Sequence, residues 1–372
     1  MSRLASRLGA SRAQDPRAAV EELRAAIEQP GMQIVLLFCS PGYDLDVMGA
    51  AIRDAFACPV IGCTSAGQLG PAGYQRGGIA GASLASDELV ARPYLVSPLS
   101  GVRERVAELT TRIGPRLSDL PAGRRAFGFT LIDGLAKVEE GLAATLYQSL
   151  GDVPIAGGSA GDDLRFERTA VYWDGAFLSD AAVITIFETS HPFRTFKLQN
   201  FRPTDKKLVI TAADPSSRLV SEIDGFPAAD AYAELLGLRV DQLDARVFSA
   251  HPLMLRMGDD YYVRSIQKVN ADHGLVFHCA IDEGLVLTIG TELDPLATLE
   301  LGLGDIERSV GTPSLIIGCD CVLRRLDLER GDLIAPAGRL LAAHRVIGFN
   351  TYGEQINAVH VNQTFTGIAL GA

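Results

Sequence analysis

Three short stretches of the chain place a hydroxyl side chain, a glycine and a polar side chain at the same spacing. They are Ser65–Gln68 (SAGQ), Ser159–Asp162 (SAGD) and Thr351–Glu354 (TYGE). Each follows an apolar run typical of a buried strand, and open α/β sheets bind ligands at the carboxyl ends of their strands. The same residues would also suit a plain turn, in which the glycine makes the bend and the hydroxyl satisfies backbone groups. The repetition indicates an architectural duplication.

Ten side chains in and around these turns are candidates for binding a small ligand. They are Thr64, Ser65, Gln68, Ser159, Asp162, Thr351, Tyr352, Glu354, His360 and Asn362. In the last of these stretches Tyr352 would form an aromatic wall, and Glu354 would accept a hydrogen bond from an ammonium or hydroxyl group. If the stretch is extended, His360, Asn362 and Thr364 share one strand face. Burying such a face requires paired polar groups, so it indicates a polar pocket or, alternatively, a strand that faces solvent.

A catalytic role is the alternative for these residues. Gly157–Gly161 (GGSAG) matches the G-x-S-x-G pattern of a nucleophile elbow, with Ser159 as the nucleophile. The elbow needs a helix directly after the serine, whereas the residues that follow here are typical of a loop and then a strand. The alternatives to ligand binding are therefore a hydrolase that uses Ser159, another enzyme that uses Glu354 and His360, or a protein-interaction scaffold. The glycine turns also lack the lysine of a phosphate-binding loop.

Composition and charge exclude several further classes of function. The 372 residues carry a net charge of −11 and no long basic tract, so a nucleic-acid partner is not expected. The apolar runs are too short to span a bilayer, which argues against membrane insertion. Six irregularly spaced cysteines fit buried thiols in a reducing cytoplasm. Cys319 and Cys321 could supply two metal ligands, but no second pair completes a zinc site.

The elements around the three turns repeat in one order, which predicts a mixed α/β fold. A strand, a helix and a second strand precede each turn, and short apolar runs typical of antiparallel strands follow it. We expect a hairpin turn at Asp174-Gly175 and a hairpin or meander formed by 78–86 and 88–96. The first fifteen residues are interpreted as a frayed tail or, alternatively, an organelle transit peptide. A helix is predicted to begin after Asp15-Pro16.

The chain resembles FIST proteins, which combine an N-terminal and a C-terminal FIST domain. The resemblance rests on PVIGCTSAGQL, VPIAGGSAGDD, LVSEIDGFPAADAYAELLGL, IIGCDCVLRRLD and GFNTYGEQINAVHVNQTFTGIALG. It places an N-terminal tail and helix at 1–29, the FIST N-terminal domain at 30–205 and the FIST C-terminal domain at 206–372. It implies a non-enzymatic, cytoplasmic sensory protein of signal transduction that binds a small-molecule ligand and acts on a partner.

The resemblance also implies a possible cofactor. Some stand-alone bacterial members are haem proteins that sense nitric oxide and regulate a histidine kinase or a cyclic-di-GMP enzyme. In those relatives an axial histidine is expected in the segment that corresponds to 191–203, and His191 lies in it. The family pattern places a histidine nearer KLQNF, where this chain has Asn200. Haem ligated by His191 is therefore the expected metal site.

Overall fold

A computed structural model describes residues 3–372 and confirms the mixed α/β fold. The described chain divides into two compact units, which are treated separately below. Unit 1 contains the described residues up to Leu198 together with Leu299–His360 and Phe365–Ala372. Unit 2 contains Gln199–Thr298 and Val361–Thr364. No helix among residues 3–372 is both long enough and apolar enough to cross a membrane.

Unit 1 consists of three repeats with the same order of elements. Repeat 1 comprises β1 (Ala5–Ser11), α1 (Pro16–Ile27), β2 (Met32–Cys39), α2 (Leu45–Ala55), β3 (Val60–Thr64), β4 (Gln68–Gly70), β5 (Gly73–Gln75) and β6 (Ile79–Ala85). Repeat 2 comprises β7 (Leu89–Val96), α3 (Val102–Ser118), β8 (Arg125–Ile132), α4 (Glu139–Leu150), β9 (Ile155–Ser159), β10 (Val171–Trp173), β11 (Ala176–Leu178) and β12 (Ala182–Thr189).

Repeat 3 has the same order except that it has two helices between its parallel strands, and the elements of unit 2 interrupt it in sequence after its first strand, β13 (Phe193–Gln199). The elements of unit 2 are β14 (Phe201–Asp214), β15 (Leu219–Ile223), β16 (Phe226–Pro227), α5 (Ala228–Leu236), α6 (Ala245–Ala250), β17 (Leu253–Met257), β18 (Asp260–Arg264), β19 (Ile266–Val269), β20 (Leu275–Phe277) and β21 (Val286–Glu292). Repeat 3 then continues with α7 (Pro295–Val310), β22 (Pro313–Cys321), α8 (Val322–Arg330), α9 (Ile334–Ala343), β23 (Val346–Thr351), β24 (Glu354–Ile356), β25 (Val359–Val361) and β26 (Thr364–Gly371).

Each repeat contributes the centre of one six-stranded sheet. The centre is a parallel pair, β2–β3, β8–β9 or β22–β23, and the last strand of the same repeat, β6, β12 or β26, pairs antiparallel with the first member. The strand that opens the repeat, β1, β7 or β13, lies outside that last strand. The three turns follow β3, β9 and β23, the second strand of each parallel pair, so they occupy equivalent positions, as the inferred duplication predicts.

The short hairpin after each turn completes the sheet of a different repeat. Hairpin β4–β5 of repeat 1 pairs with β23, hairpin β10–β11 of repeat 2 pairs with β3, and hairpin β24–β25 of repeat 3 pairs with β9. The exchange is cyclic, and each repeat both gives and receives a hairpin. The predicted Asp174-Gly175 turn is confirmed, since it joins β10 to β11.

Helices α1 and α2 pack on the first sheet, because their buried apolar residues recur at the period of a helix. Asp15 caps α1 by accepting a hydrogen bond from the Ala18 amide at 2.8 Å, and Pro16 occupies the first turn, as predicted. The buried core under α1 and α2 includes Tyr172 and Phe177 from the received hairpin. This hairpin of repeat 2 is thus part of the hydrophobic core of repeat 1, so the two repeats are held together by shared apolar packing as well as by strand pairing.

Unit 2 is built on one sheet with the order β18-β17-β21-β14-β15-β20-β19, and β16 pairs with β15. Helices α5 and α6 and the 3₁₀ helix Val240–Gln242 accompany it. The buried Tyr232 and Phe248 pack in its core. Strand β14 spans residues 201–214, around the predicted boundary at 206, and is continuous there. The predicted domain ranges 30–205 and 206–372 stay a prediction, because the compact units are discontinuous in sequence.

Two local predictions are wrong. Residues 78–86 and 88–96 do not form a hairpin, because β6 pairs with β1 and β2 whereas β7 pairs with β12 of another sheet. The first fifteen residues are not a frayed tail throughout, because Ala5–Ser11 pairs with β6 along its whole length. For 78–96 the apolar pattern correctly indicated strands, but it contains no information on which strands pair. For the first fifteen residues no strand was predicted.

Candidate functional site

The three turns meet in unit 1 and are joined by backbone hydrogen bonds. Among these bonds is a cyclic set in which turn 1 donates an amide to turn 3, turn 3 to turn 2 and turn 2 to turn 1. The bonds are Ala66 N to Asn350 O (3.1 Å), Tyr352 N to Ser159 O (3.2 Å) and Gly161 N to Thr64 O (3.1 Å). We call these three joined turns the turn ring. It closes because each hairpin leaves its own repeat directly after the turn.

The side chains of the first turn are buried and satisfied within the protein. The Ser65 hydroxyl donates to the carbonyl of Cys39 at 3.1 Å and lies 2.8 Å from the Gln68 amide. In the alternative amide orientation the Gln68 nitrogen donates to Gly77 O at 3.0 Å, and its oxygen accepts the Ser40 amide and the Ser65 hydroxyl proton, which then no longer goes to Cys39. The Thr64 hydroxyl accepts a hydrogen bond at 3.0 Å from the backbone amide of Ala170, which directly precedes the received hairpin. These contacts match the plain-turn alternative, in which polar groups satisfy the backbone.

The second and third turns are held together by Tyr352 and Asp162. The Tyr352 hydroxyl donates to the Asp162 carboxylate and accepts from the backbone amides of Asp162 (3.2 Å) and Leu164 (2.8 Å). The carboxylate also accepts the amides of residues 166–168 at 2.7–2.9 Å. Burial raises the pKa of Asp162, but the hydrogen bonds from Tyr352 and these amides lower it by more, so the carboxyl ionises below its ordinary range. Burial and the Asp162 acceptor raise the pKa of Tyr352.

The predicted catalytic candidates are buried in the same region. Ser159 is inaccessible to solvent, and its hydroxyl accepts a hydrogen bond from the Gln355 amide at 3.0 Å. The same amide lies 3.4 Å from His360 Nδ1 and 3.2 Å from the carbonyl of Gly353. Thr351 donates to the buried Glu354 carboxylate. The structure therefore brings Ser159 and His360 to one side chain, Gln355, which the sequence analysis did not single out.

The expectation that His360, Asn362 and Thr364 share one strand face is wrong. Strand β25 ends at Val361 and β26 begins at Thr364, and Gln363 between them has a left-handed φ of 52°. The chain therefore turns where an extended strand was expected. In unit 2, Gln363 accepts from Ser265 at 2.9 Å, whereas both polar atoms of the buried Asn362 side chain have no hydrogen-bond partner among the described residues.

A buried charge network next to the first turn was missed by the sequence analysis. Asp320, at the end of β22, accepts hydrogen bonds from Tyr74 (2.7 Å), Arg324 (2.9 Å) and Asn350 (3.0 Å). Arg325 donates to the Ala66 carbonyl at 2.9 Å and to Asn350 Oδ1 at 3.0 Å. Burial raises the pKa of Asp320 and outweighs the lowering by Arg324 and Tyr74. The sequence signal was present, since charged residues follow an apolar strand directly in CDCVLRRLD.

An open polar pocket of about 310 Å³ lies beside the turn ring. One wall is the loop that follows β2 together with the start of α2, from Pro41 to Asp46. The other wall is the loop that follows the second turn, with Asp162, Arg165, Glu167 and Arg168. Of the ten predicted ligand-binding residues, Asp162 lines this pocket, whereas the polar side chains of the other two turns are engaged in the internal contacts described above. We call it the polar pocket.

The loop at 162–168 has an unusual backbone. Asp163, Leu164 and Phe166 have left-handed φ values of 58°, 64° and 56°. Such conformations cost free energy for residues other than glycine and persist only where surrounding contacts enforce them. Here the enforcing contacts are the hydrogen bonds of Asp162 and Tyr352, together with the stacking of Phe166 on the Tyr352 ring at 4.7 Å. The wall of the polar pocket is therefore a strained segment held by one pair of side chains.

His191 lies between β12 and β13 and is buried. Its Nε2 atom is 2.8 Å from the Ser86 hydroxyl, and burial lowers its pKa, against a smaller opposing effect of Glu88. An axial ligand needs a ring nitrogen that is open toward the iron and space for the macrocycle, so these contacts do not fit haem ligation by His191. Among residues 3–372 no group of three or more His, Cys, Asp and Glu side chains has the geometry of a metal site. Cys319 and Cys321 are buried free thiols.

Two sequence models of known domains match the chain. Residues 33–225 match the FIST N domain, and residues 228–357 match the FIST C domain. The chain belongs to the FIST family. FIST domains are sensory domains of signalling proteins and are generally non-catalytic. The repeats and the turn ring of unit 1 therefore contain residues from both FIST domains.

Two individual proteins that resemble the chain give no further evidence on its function. The uncharacterised protein MJ1623 of Methanocaldococcus jannaschii is 26% identical over 203 residues, which cover 50% of this chain and 39% of that protein. The chain thus spans about two fifths of the length of this curated relative. Among solved structures, T. maritima PurL complexed with FGAR aligns with 99% of this chain and 72% of its own, at 8% identity and a TM-score of 0.22. A likeness this weak carries no argument about fold or function.

Proposed function

We propose that this FIST protein senses a small polar ligand in the polar pocket and relays the binding event to a signalling partner. One observation carries the proposal: the loop that forms a wall of the pocket is bonded to Tyr352 of the turn ring. A ligand that contacts Arg165 or Arg168 acts directly on the strained loop. Through Asp162 and Tyr352 the loop is connected to the turns of all three repeats.

The proposed signal is a shift between two arrangements of the 162–168 loop. Because three of its residues other than glycine are left-handed, the loop has a relaxed alternative once its hydrogen bonds are broken. A ligand shifts the balance only by its difference in affinity for the two arrangements. The pocket presents guanidinium groups on the loop and carboxylates on both walls, which suits a ligand with polar groups rather than an apolar one.

Catalysis is disfavoured by the surroundings of its candidates. A nucleophilic serine must reach the substrate and have a base that takes its proton. Ser159 is fully buried, receives a hydrogen bond from an amide rather than facing a base, and precedes a loop rather than a helix. Glu354 and His360 are buried as well. This supports a sensory role for the site and not a hydrolytic one.

Haem-based nitric oxide sensing, and a histidine kinase or cyclic-di-GMP enzyme as partner, remain more specific proposals. Haemin titration of the wild type and of His191→Ala tests the first. A Soret band that shifts with nitric oxide and changes in the variant supports it, whereas identical spectra exclude His191 as the ligand. Ser86→Ala is a useful companion, since it frees Nε2 without removing the ring. The partner is tested by measuring kinase or cyclic-di-GMP activity with and without this protein.

A thermal-shift screen of small polar metabolites tests the polar pocket. Hits on the wild type are repeated on Arg165→Gln and Arg168→Gln, and on Arg17→Gln, a matched exposed arginine of α1. We expect a true ligand to stabilise wild type and Arg17→Gln and to lose at least part of that effect in one of the pocket variants. Equal stabilisation of all four proteins would place the ligand elsewhere. Protection of the loop from trypsin, which cleaves after Arg165 and Arg168, provides a second readout.

A further inference from the structure

A second cavity, of about 720 Å³, opens in unit 1 at the amino ends of the parallel strands β8 and β9. This is the end opposite to the turn ring, because the turns follow the carboxyl ends of the middle strands. Apolar side chains form much of its lining, with Leu117 of α3, Leu150 of α4, Val153 and Phe193. Two arginines, Arg125 and Arg194, also line it. We call it the arginine groove, and its volume is in the range of small-molecule sites.

The repeats provide an internal comparison for this groove. The carbonyls of Pro59, Pro154 and Arg345 each accept an amide hydrogen bond from the first strand of their own parallel pair, at 2.9, 2.9 and 3.2 Å. These three residues are therefore structurally equivalent. They identify the places in repeats 1 and 3 that correspond to the groove of repeat 2.

In the other two repeats, side chains at or near the equivalent residue are engaged within the protein. In repeat 1, Phe56, three residues before Pro59, is 7% exposed and packs into the core under α1 and α2. In repeat 3, the Arg345 side chain donates to the carbonyls of Ser314 and Ser6, both at 2.9 Å. In repeat 2 the residue three before Pro154 is Gly151, and a Cβ built on it would meet no atom within 4 Å. At the corresponding positions repeat 2 therefore has Gly151 in place of Phe56 and Pro154 in place of Arg345.

The charges of the groove differ from those of the whole protein. The Arg125 guanidinium lies over the Phe193 ring, 4.7 Å from its centroid, and Arg194 contacts the carbonyl of Asp305 at 3.4 Å. Among the residues that the structure describes, neither arginine has a carboxylate partner within ion-pair distance. Asp152 is the acidic residue in the lining, so the groove is net positive in a chain of net charge −11. A guanidinium that contacts an aromatic ring keeps N–H donors for a carboxylate, because it has five of them.

We propose that the arginine groove binds a small amphipathic organic anion. Its apolar body lies on Leu117, Leu150 and Val153, and its carboxylate accepts hydrogen bonds from Arg125. Arg194 adds positive charge at the same rim. The site is independent of the polar pocket, and its ligand is of a different chemical class, since the groove has an apolar floor and the polar pocket does not.

The test uses 8-anilinonaphthalene-1-sulfonate, a sulfonate with an aromatic body whose fluorescence rises on transfer from water. We expect saturable binding to the native full chain, displacement by decanoate and much weaker displacement by the uncharged decanol. Arg125→Gln should weaken binding of the probe about tenfold, the effect of losing one good charged hydrogen bond. Arg112→Gln, which removes an exposed arginine of α3 outside the groove, should leave it unchanged.

A filling variant makes the test independent of charge. Val153→Trp should abolish probe binding while urea unfolding and circular dichroism show a folded protein. The proposal is overturned if decanol competes as well as decanoate, if Arg112→Gln weakens binding as much as Arg125→Gln, or if a folded Val153→Trp binds normally. Should Val153→Trp fail to fold, the comparison of the two arginine variants decides the matter. Since Arg165 and Arg168 are not involved, failure here leaves the polar pocket unaffected.

Discussion

The hydroxyl of Tyr352 donates to the carboxylate of Asp162 and accepts the amides of Asp162 and Leu164 at 3.2 and 2.8 Å. The two residues are far apart in sequence and belong to different repeats. Through this pair, one phenol connects the third turn with the strained loop that follows the second. The loop has no regular secondary structure of its own, so its conformation depends on the pair.

Tyr352→Phe should loosen that loop. The change removes one donor to the Asp162 carboxylate, which keeps the amides of residues 166–168, and leaves the Leu164 amide without its acceptor, which costs about 1–3 kcal/mol in the free energy of unfolding. Urea denaturation measures this loss, and faster trypsin cleavage after Arg165 or Arg168 localises it. Tyr147→Phe, on the exposed side of α4, is the control and should change neither quantity. Unchanged cleavage in Tyr352→Phe would show that the loop is held by other contacts.

The stabilising effect of Asp162 should depend on pH in a defined direction. Because the pKa of Asp162 is lowered by folding, the ionised carboxylate stabilises the native state above the ordinary pKa of aspartate, and this contribution is lost as pH falls through the lowered value. The difference in unfolding free energy between wild type and Asp162→Asn should therefore be largest near neutral pH and shrink in acid. A difference that grows on acidification would contradict the assignment.

Gly67→Ala should be far more destabilising than an ordinary glycine substitution. Gly67 has a φ of 145°, and a Cβ at this position would lie 1.6 Å from Nη1 of Arg325, which is bonded to the Ala66 carbonyl. The methyl group would displace a buried guanidinium, so we expect a loss above about 3 kcal/mol, typical of breaking a buried charge network. Gly77→Ala is the control, with a φ of 72° and no atom within 4 Å. Equal losses in the two variants would mean that backbone strain alone is responsible.

Ser159 should not react with a fluorophosphonate probe in the folded protein. Its hydroxyl is buried and receives a hydrogen bond from Gln355, so it has neither access to solvent nor a base that takes its proton. Mass spectrometry of the native, probe-treated protein checks this, with Ser159→Ala as the reference. That variant should lose only about 1 kcal/mol of stability, since one hydrogen bond is removed. Labelling that disappears in Ser159→Ala would re-establish the hydrolase alternative.

Much of the local structure could be predicted from the sequence because it depends on neighbours in the chain. Asp15-Pro16 starts α1 through a cap and a fixed φ, and Asp174-Gly175 makes a hairpin turn through left-handed backbone. The three turns were found because each ends an apolar strand with the same local pattern. The errors concern partners: β6 and β7 are adjacent in sequence but lie in different sheets.

In the predicted site, too, residue type could be found from the sequence, whereas the packing around each residue could not. Glu354, His360 and Ser159 were singled out by residue type, and they do lie in one region, yet they are buried and bonded internally. Whether a polar side chain faces a ligand or satisfies its own backbone depends on what packs over it. The arginines that line the two cavities had no local pattern to distinguish them from exposed arginines elsewhere in the chain.

The sequence by itself determined the family, the mixed α/β class and the threefold repetition of strand, helix, strand and turn. These are properties of short segments, in which hydrophobic period, caps and glycines act over a few residues. Only the tertiary structure decided that each hairpin joins the sheet of another repeat, that the turns close into a ring, and that a cavity opens in repeat 2. Strands of three residues, such as β4 and β24, have too few side chains to specify a partner by pattern. Their pairing is determined by the packing of the complete unit, in which burial and backbone hydrogen bonds are satisfied together.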